Sequence, residues 1–118
     1  MTASRAVLAV DLKNDPAMIA TYVDYHRQVW PEVLASVRAA GIRRLDIYWL
    51  DRRLIMFVET DGRDVGECFR QHRSSTSPRV QEWEALMKSL QEPPPGHAPG
   101  EWWAAMQCVF SLADGASS

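Results

Sequence analysis

The chain has 118 residues and a mass of 13.4 kDa, which is one domain by size. Apolar residues make up 47% and charged residues 24%, an ordinary globular composition that argues against disorder. Thirteen Lys and Arg stand against fifteen Asp and Glu, and the formal charge of −2 argues against a general binder of phosphate backbones. No apolar run approaches the ~20 residues that a membrane span needs, and nothing near Met1 has the length of a signal peptide. Cys68 and Cys108 are far apart and form no CxxC, so a disulfide scaffold is excluded and reduced thiols in the cytoplasm are expected.

Arg5–Leu12 reads as a first strand. Asp15-Pro16 is a helix cap followed by proline at the first helical position, and opens a helix expected to reach about Val29. Trp30 precedes Pro31 and is pushed out of helical geometry. Pro31–Ala40 is a second helical piece, stopped by Gly41. Arg43–Leu50 and Leu54–Thr60 form a hairpin around Asp51-Arg52-Arg53. Asp64–Arg73 is a weak helix containing Gly66, and Ser77-Pro78 caps a stronger one, Arg79–Gln91. Pro93–Pro99 holds four of the seven prolines and reads as an ordered connection. Trp102–Leu112 is expected to be the last strand, with a frayed tail at 113–118 after a single domain at 1–112.

The order is β-α-β-β-α-β, a ferredoxin-like α+β pattern with an antiparallel four-stranded sheet and helices on one face. Strands 1 and 3 are apolar on both alternating faces, whereas a sheet with one wet face shows clean alternation. The helices cover one face only. A second copy of the chain is the expected cover for the other, as a homodimer of the dimeric α/β-barrel type.

Tyr22, His26 and Trp30 stand four residues apart. Two readings are open: an ordinary core stripe, or a phenol, an imidazole and an indole lining one cavity. Asp46 and Tyr48 share one face of the second strand, and Leu45, Ile47 and Trp49 share the other. Asp46 therefore faces either solvent or a polar cavity. Glu82-Trp83-Glu84 in the last helix reads either as a Trp buried on the sheet with both acids toward solvent, or as part of a site. His26, His72 and His97 show no metal-ligand spacing, and no phosphate-binding or nucleophile-elbow motif occurs. Strand 3, Leu54–Thr60, lacks the aromatic and glycine signature of an RNA-recognition domain.

The segment Tyr22-Val-Asp-Tyr-His26-Arg-Gln-Val-Trp30-Pro-Glu32 resembles the L-rhamnose mutarotase family, whose first helix carries Tyr-x3-His-x3-Trp-Pro-Glu. Gly41-Ile42, Ile47-Tyr48, Val80-Gln-Glu-Trp83 and Val109-Phe110-Ser-Leu112 extend the resemblance from Arg5 to Leu112. It implies a dimeric ferredoxin-like enzyme that interconverts the α and β anomers of a 6-deoxy-L-hexose without a cofactor or metal. His26 takes the catalytic position and Tyr22 a substrate-contacting one.

Leu45 stands where the rhamnose enzymes have a sugar-contacting Tyr, and Glu82-Trp83 where they have a Trp pair. Gln-Glu-Trp-Glu at this place resembles the branch associated with L-fucose. On chemical grounds His26 is expected to protonate the ring oxygen, with Asp46 or Glu82 opposing it. Trp30 and Trp83 are expected to face the apolar side of the sugar. The alternative enzyme class is a cofactor-free, dimeric ferredoxin-like monooxygenase acting on an aromatic substrate. No nucleic acid or membrane partner is expected.

Overall fold

A computed structural model describes residues 3–113. The elements are β1 (Arg5–Leu12), α1 (Pro16–Tyr25), α2 (Pro31–Ala39), β2 (Ile42–Leu50), β3 (Arg53–Thr60), α3 (Val65–Arg73), α4 (Pro78–Leu90), β4 (Gln91–Glu92) and β5 (Ala104–Ala105). All pairings are antiparallel, in the order β2-β3-β1-β4, with β5 also on β1. This is the ferredoxin-like α+β fold, with its sheet open in the single chain. Among the described residues, no helix is long and apolar enough to cross a membrane.

Strand register decides which residues meet the helices. Leu8 pairs with Met56 and Val10 with Leu54, while Ile47 and Trp49 on β2 lie opposite Met56 and Leu54. These side chains point to the helix side. There Val10, Leu12 and Leu54 join Tyr22, Val33, Trp83, Met87 and Leu90 in the larger core cluster. A second cluster gathers Ile42, Met56 and Val58 against Val65 and Cys68 of α3. The opposite face carries Val7, Ile55, Phe57, Asp46 and Tyr48 with no helix over it.

The caps act as their residue types predict. Asp15 accepts from the amides of Ala17 at 2.9 Å and Met18 at 3.4 Å, and Ser77 accepts from Val80. Gly41 has φ +97°, and the Arg63 guanidinium occupies the space that a Cβ would need. The positive φ is what favours glycine there, since the Arg63 head could swing aside.

Several boundaries shift by one residue, and two elements fall well short of the sequence reading. The first helix ends at Tyr25 rather than near Val29, because Arg27 and Gln28 take up i→i+3 bonds to Asp24 and Tyr25. The last helix stops at Leu90, and Gln91 is already extended. The expected strand over Trp102–Leu112 shrinks to Ala104–Ala105, with one further bond from the Met106 amide to the Val7 carbonyl. Its place on the β1 edge is shared with β4, since Pro93-Pro94-Pro95 cannot donate to a ladder. The intervening connection is ordered: the Glu101 carboxylate accepts from the amides of Ala98 and Ala105. Apart from Ala113, the expected frayed tail lies outside the described residues.

Candidate active site

The end of α1 is built around the His26 ring. His26 is the cap residue of the helix, and its Nδ1 lies 2.9 Å from the Tyr22 carbonyl oxygen. A carbonyl only accepts, so Nδ1 carries the proton and donates. In the neutral ring this leaves Nε2 with a lone pair. The imidazole stacks on the Tyr22 phenol, with centroids 4.2 Å apart and planes inclined by 27°. The Trp83 ring approaches it edge-on at 5.3 Å. Spacing of four on α1 produces the stack, and the inward stripe Val80, Trp83, Met87, Leu90 of α4 delivers the indole.

A half-open cleft of about 320 Å³ lies beside this stack. Tyr22, His26 and Arg27 are its polar side chains, and Val23, Ile47, Trp49 and Leu54 supply an apolar wall. Burial pushes the His26 pKa below its ordinary 6.5, with the bond to the Tyr22 carbonyl acting the other way. The ring is therefore neutral at pH 7. Burial also raises the Tyr22 phenol, a hydrogen bond with Gln91 lowers it, and the Glu84 charge raises it further. The phenol keeps its proton and is a donor.

Trp30 lies outside the first helix, as the proline after it implies, and it joins the group. It caps α2 in extended geometry, meets Trp83 at 5.1 Å and Tyr25 at 6.4 Å, and carries the Arg79 guanidinium 3.6 Å above its ring. Tyr22, His26, Trp30 and Trp83 are thus brought together, but neither indole lines the cleft that both were expected to face.

Asp46 and Glu82 are not. Asp46 sits on the helix-free face, paired with Arg44 at 2.8 Å. Its neighbour Ile47 lines the cleft, so strand alternation turns Asp46 away. Glu82 is exposed and paired with Arg79 at 3.2 Å on the outside of α4. The inward acid is Glu84, whose carboxylate meets His72 Nε2 at 2.6 Å. Glu84 follows Val80 by four and precedes Met87 by three, which puts it on the buried side of the helix. That spacing is visible in the sequence. The cleft wall of Ile47, Trp49 and Leu54 needed the tertiary register. Leu45 also faces the helix side and packs on the second core cluster. Among the described residues, no three His, Cys, Asp or Glu side chains gather where they could hold a metal ion.

The chain is similar to known proteins in sequence and in fold. A family model described as L-rhamnose mutarotase matches residues 5–112. The chain is 41% identical to an L-fucose mutarotase of Xanthomonas campestris pv. campestris over 119 residues, 99% of this chain and 94% of that protein. The crystal structure of an L-rhamnose mutarotase from Formosa agariphila superposes with a TM-score of 0.63 at 19% identity, covering 92% of this chain and 98% of that one. A tetracenomycin F2 cyclase from Streptomyces glaucescens reaches 0.53 at 17% identity, over 92% of this chain and 96% of that one. At such identities the two structures speak for the fold alone, which hosts several chemistries. The family match does not favour the monooxygenase alternative. From Arg5 to Leu112, through the motif that builds the His26 stack, the chain belongs to the L-rhamnose mutarotase family.

Proposed function

We propose that the chain interconverts the α and β anomers of a 6-deoxy-L-hexose, with L-fucose as the preferred sugar. The observation that carries this reading is the stack of a neutral imidazole on a protonated phenol beside the cleft. Mutarotation needs one group to take a proton from the anomeric hydroxyl and another to supply one to the ring oxygen. His26 enters with a lone pair on Nε2, so we give it the base's role in place of the donor's role expected from sequence. Tyr22 supplies the proton to O5 as the C1–O5 bond breaks and the C1=O1 bond forms. After rotation about C1–C2, O5 attacks the other face of C1. His26 returns its proton to O1, and Tyr22 recovers its own from O5. Every proton comes back to its origin, so the cycle consumes nothing.

One positioned acid or base contributes roughly 10²–10⁴-fold, which suffices for a reaction that already proceeds in water. Ile47, Trp49 and Leu54 offer the apolar surface that suits a sugar's C–H face and C6 methyl. Trp83 and Trp30 back the polar pair. Asp46 and Glu82 take no part in the proton transfer, because neither reaches the cleft in the single chain. L-fucose is placed first because the curated relative at 41% identity is an L-fucose mutarotase.

The reading includes a homodimer in the cytoplasm. Tyr48 and Leu50 on β2, and Val109, Phe110 and Leu112 beyond β5, are exposed in the single chain, Leu50 by 80% and Leu112 by 84%. A patch of such residues is what an interface between copies covers.

Saturation-transfer NMR on equilibrated L-fucose, L-rhamnose and D-glucose tests the activity. Faster exchange for L-fucose is expected, with D-glucose unchanged. Acceleration of L-rhamnose alone reverses the sugar assignment. No acceleration with any of the three rejects the reading.

A further inference from the structure

Three helices meet around a buried imidazole that the proposed mechanism leaves unused. His72 on α3 is only 5% exposed. Its Nδ1 lies 2.7 Å from Ser36 Oγ on α2, and its Nε2 lies 2.6 Å from the Glu84 carboxylate on α4. A carboxylate only accepts, so Nε2 carries a proton. In the neutral ring Nδ1 is then the acceptor, and the Ser36 hydroxyl donates to it. The chain runs one way, from hydroxyl through imidazole to carboxylate, and both ring nitrogens are occupied.

The position of this chain on α4 is informative. Glu84 follows Trp83 directly, and the Trp83 indole is the edge that meets His26 at 5.3 Å and Trp30 at 5.1 Å. The buried anchor therefore grips α4 at the turn that carries the indole behind the His26 ring. A strut placed for stability alone could lie anywhere along this thirteen-residue helix. The Glu84 charge also reaches the Tyr22 hydroxyl, the other member of the stack.

We propose that Ser36, His72 and Glu84 form a positioning relay that pins α4 so that Trp83 holds the His26 ring against Tyr22. The inference rests on the mutarotase reading for its kinetic consequence. Its structural consequence stands apart from activity.

His72→Phe keeps the ring volume and removes both bonds. Glu84→Leu removes the acceptor from a side chain that is still partly exposed, so this variant carries the test if His72→Phe does not fold. Glu84→Gln keeps an acceptor for Nε2–H. We expect His72→Phe and Glu84→Leu each to lower kcat about tenfold, since a small misplacement of a reacting group has a large kinetic cost. Glu84→Gln should restore most of it. The double variant should be no slower than either single one, because both cut the same path.

In the NMR spectrum, the His26 ring protons lie in the ring currents of Trp83 and Tyr22. In His72→Phe and Glu84→Leu their shifts should move toward those of an unstacked imidazole, a signature that a loss of stability alone does not produce. Folded variants with wild-type kcat and unmoved His26 shifts overturn the relay. Multiplied losses in the double variant also overturn it. A wild type without sugar turnover rejects the mutarotase reading instead, and the His26 shifts then decide on the relay by themselves.

Discussion

The molecule holds two imidazoles in opposite situations. At the end of α1, His26 donates its Nδ1–H to a backbone carbonyl, and its ring lines the cleft. Between α2, α3 and α4, His72 is bonded through both nitrogens and is shut away from solvent. The residue type is the same, and the partners decide the task. A ring with one nitrogen committed to a carbonyl is oriented yet reactive, whereas a ring with both nitrogens committed is a fastener.

The largest expected effect breaks the reactive side. His26→Ala should lower kcat by about 10²-fold or more, the contribution of a positioned base. Anomer exchange at pH 7 measures it, and a variant as fast as wild type ends the assignment. The next effect falls on the ring behind His26. Trp83→Ala removes a buried indole and should cost about 3–5 kcal/mol of stability, read by urea unfolding. A loss under 1 kcal/mol would show that Trp83 is not part of the core.

Smaller again is Tyr22→Phe. It keeps the stack but removes the donor and the hydrogen bond to the buried Gln91, so kcat should fall about 10²-fold and stability by about 1–3 kcal/mol. An unchanged kcat removes Tyr22 from the proton path. The pH dependence sharpens the contrast further. His26 has a folded pKa depressed by burial below the ordinary 6.5. Its acid limb in kcat/KM should therefore lie below pH 6.5, since only the neutral ring is a base. Between the two pKa values the unfolded chain binds the extra proton, so stability rises with pH there. The contribution is complete above pH 6.5 and is lost as pH falls through the folded pKa. A limb above 6.5 contradicts the burial argument. The smallest effects belong to the misplaced acids. Asp46→Asn and Glu82→Gln should leave kcat/KM within about twofold, because neither side chain lines the cleft of the single chain.

Much of this could be read from the residues. Asp15-Pro16, Trp30-Pro31, Gly41 and Ser77-Pro78 marked helix ends because caps, proline and glycine act locally. The stack of Tyr22 on His26 followed from a spacing of four on one helix. The last strand was less legible. Its apolar residues suggest a full ladder, but whether they pair depends on how much of the β1 edge is left beyond the proline-rich connection. The acids misled for a related reason. Asp46 and Glu82 sit close in sequence to Ile47 and Trp83, yet one step along a strand or helix turns a side chain to another face.

The sequence by itself determined the element order, the helix caps and the motif that assembles phenol, imidazole and indole, because these depend on bonds within a few residues. The tertiary structure alone decided that Ile47, Trp49 and Leu54 form the cleft wall, that Glu84 rather than Glu82 turns inward onto His72, and that burial lowers the His26 pKa. Those outcomes depend on register between strands, on packing between helices and on burial, and each of these is set only when distant parts of the chain meet.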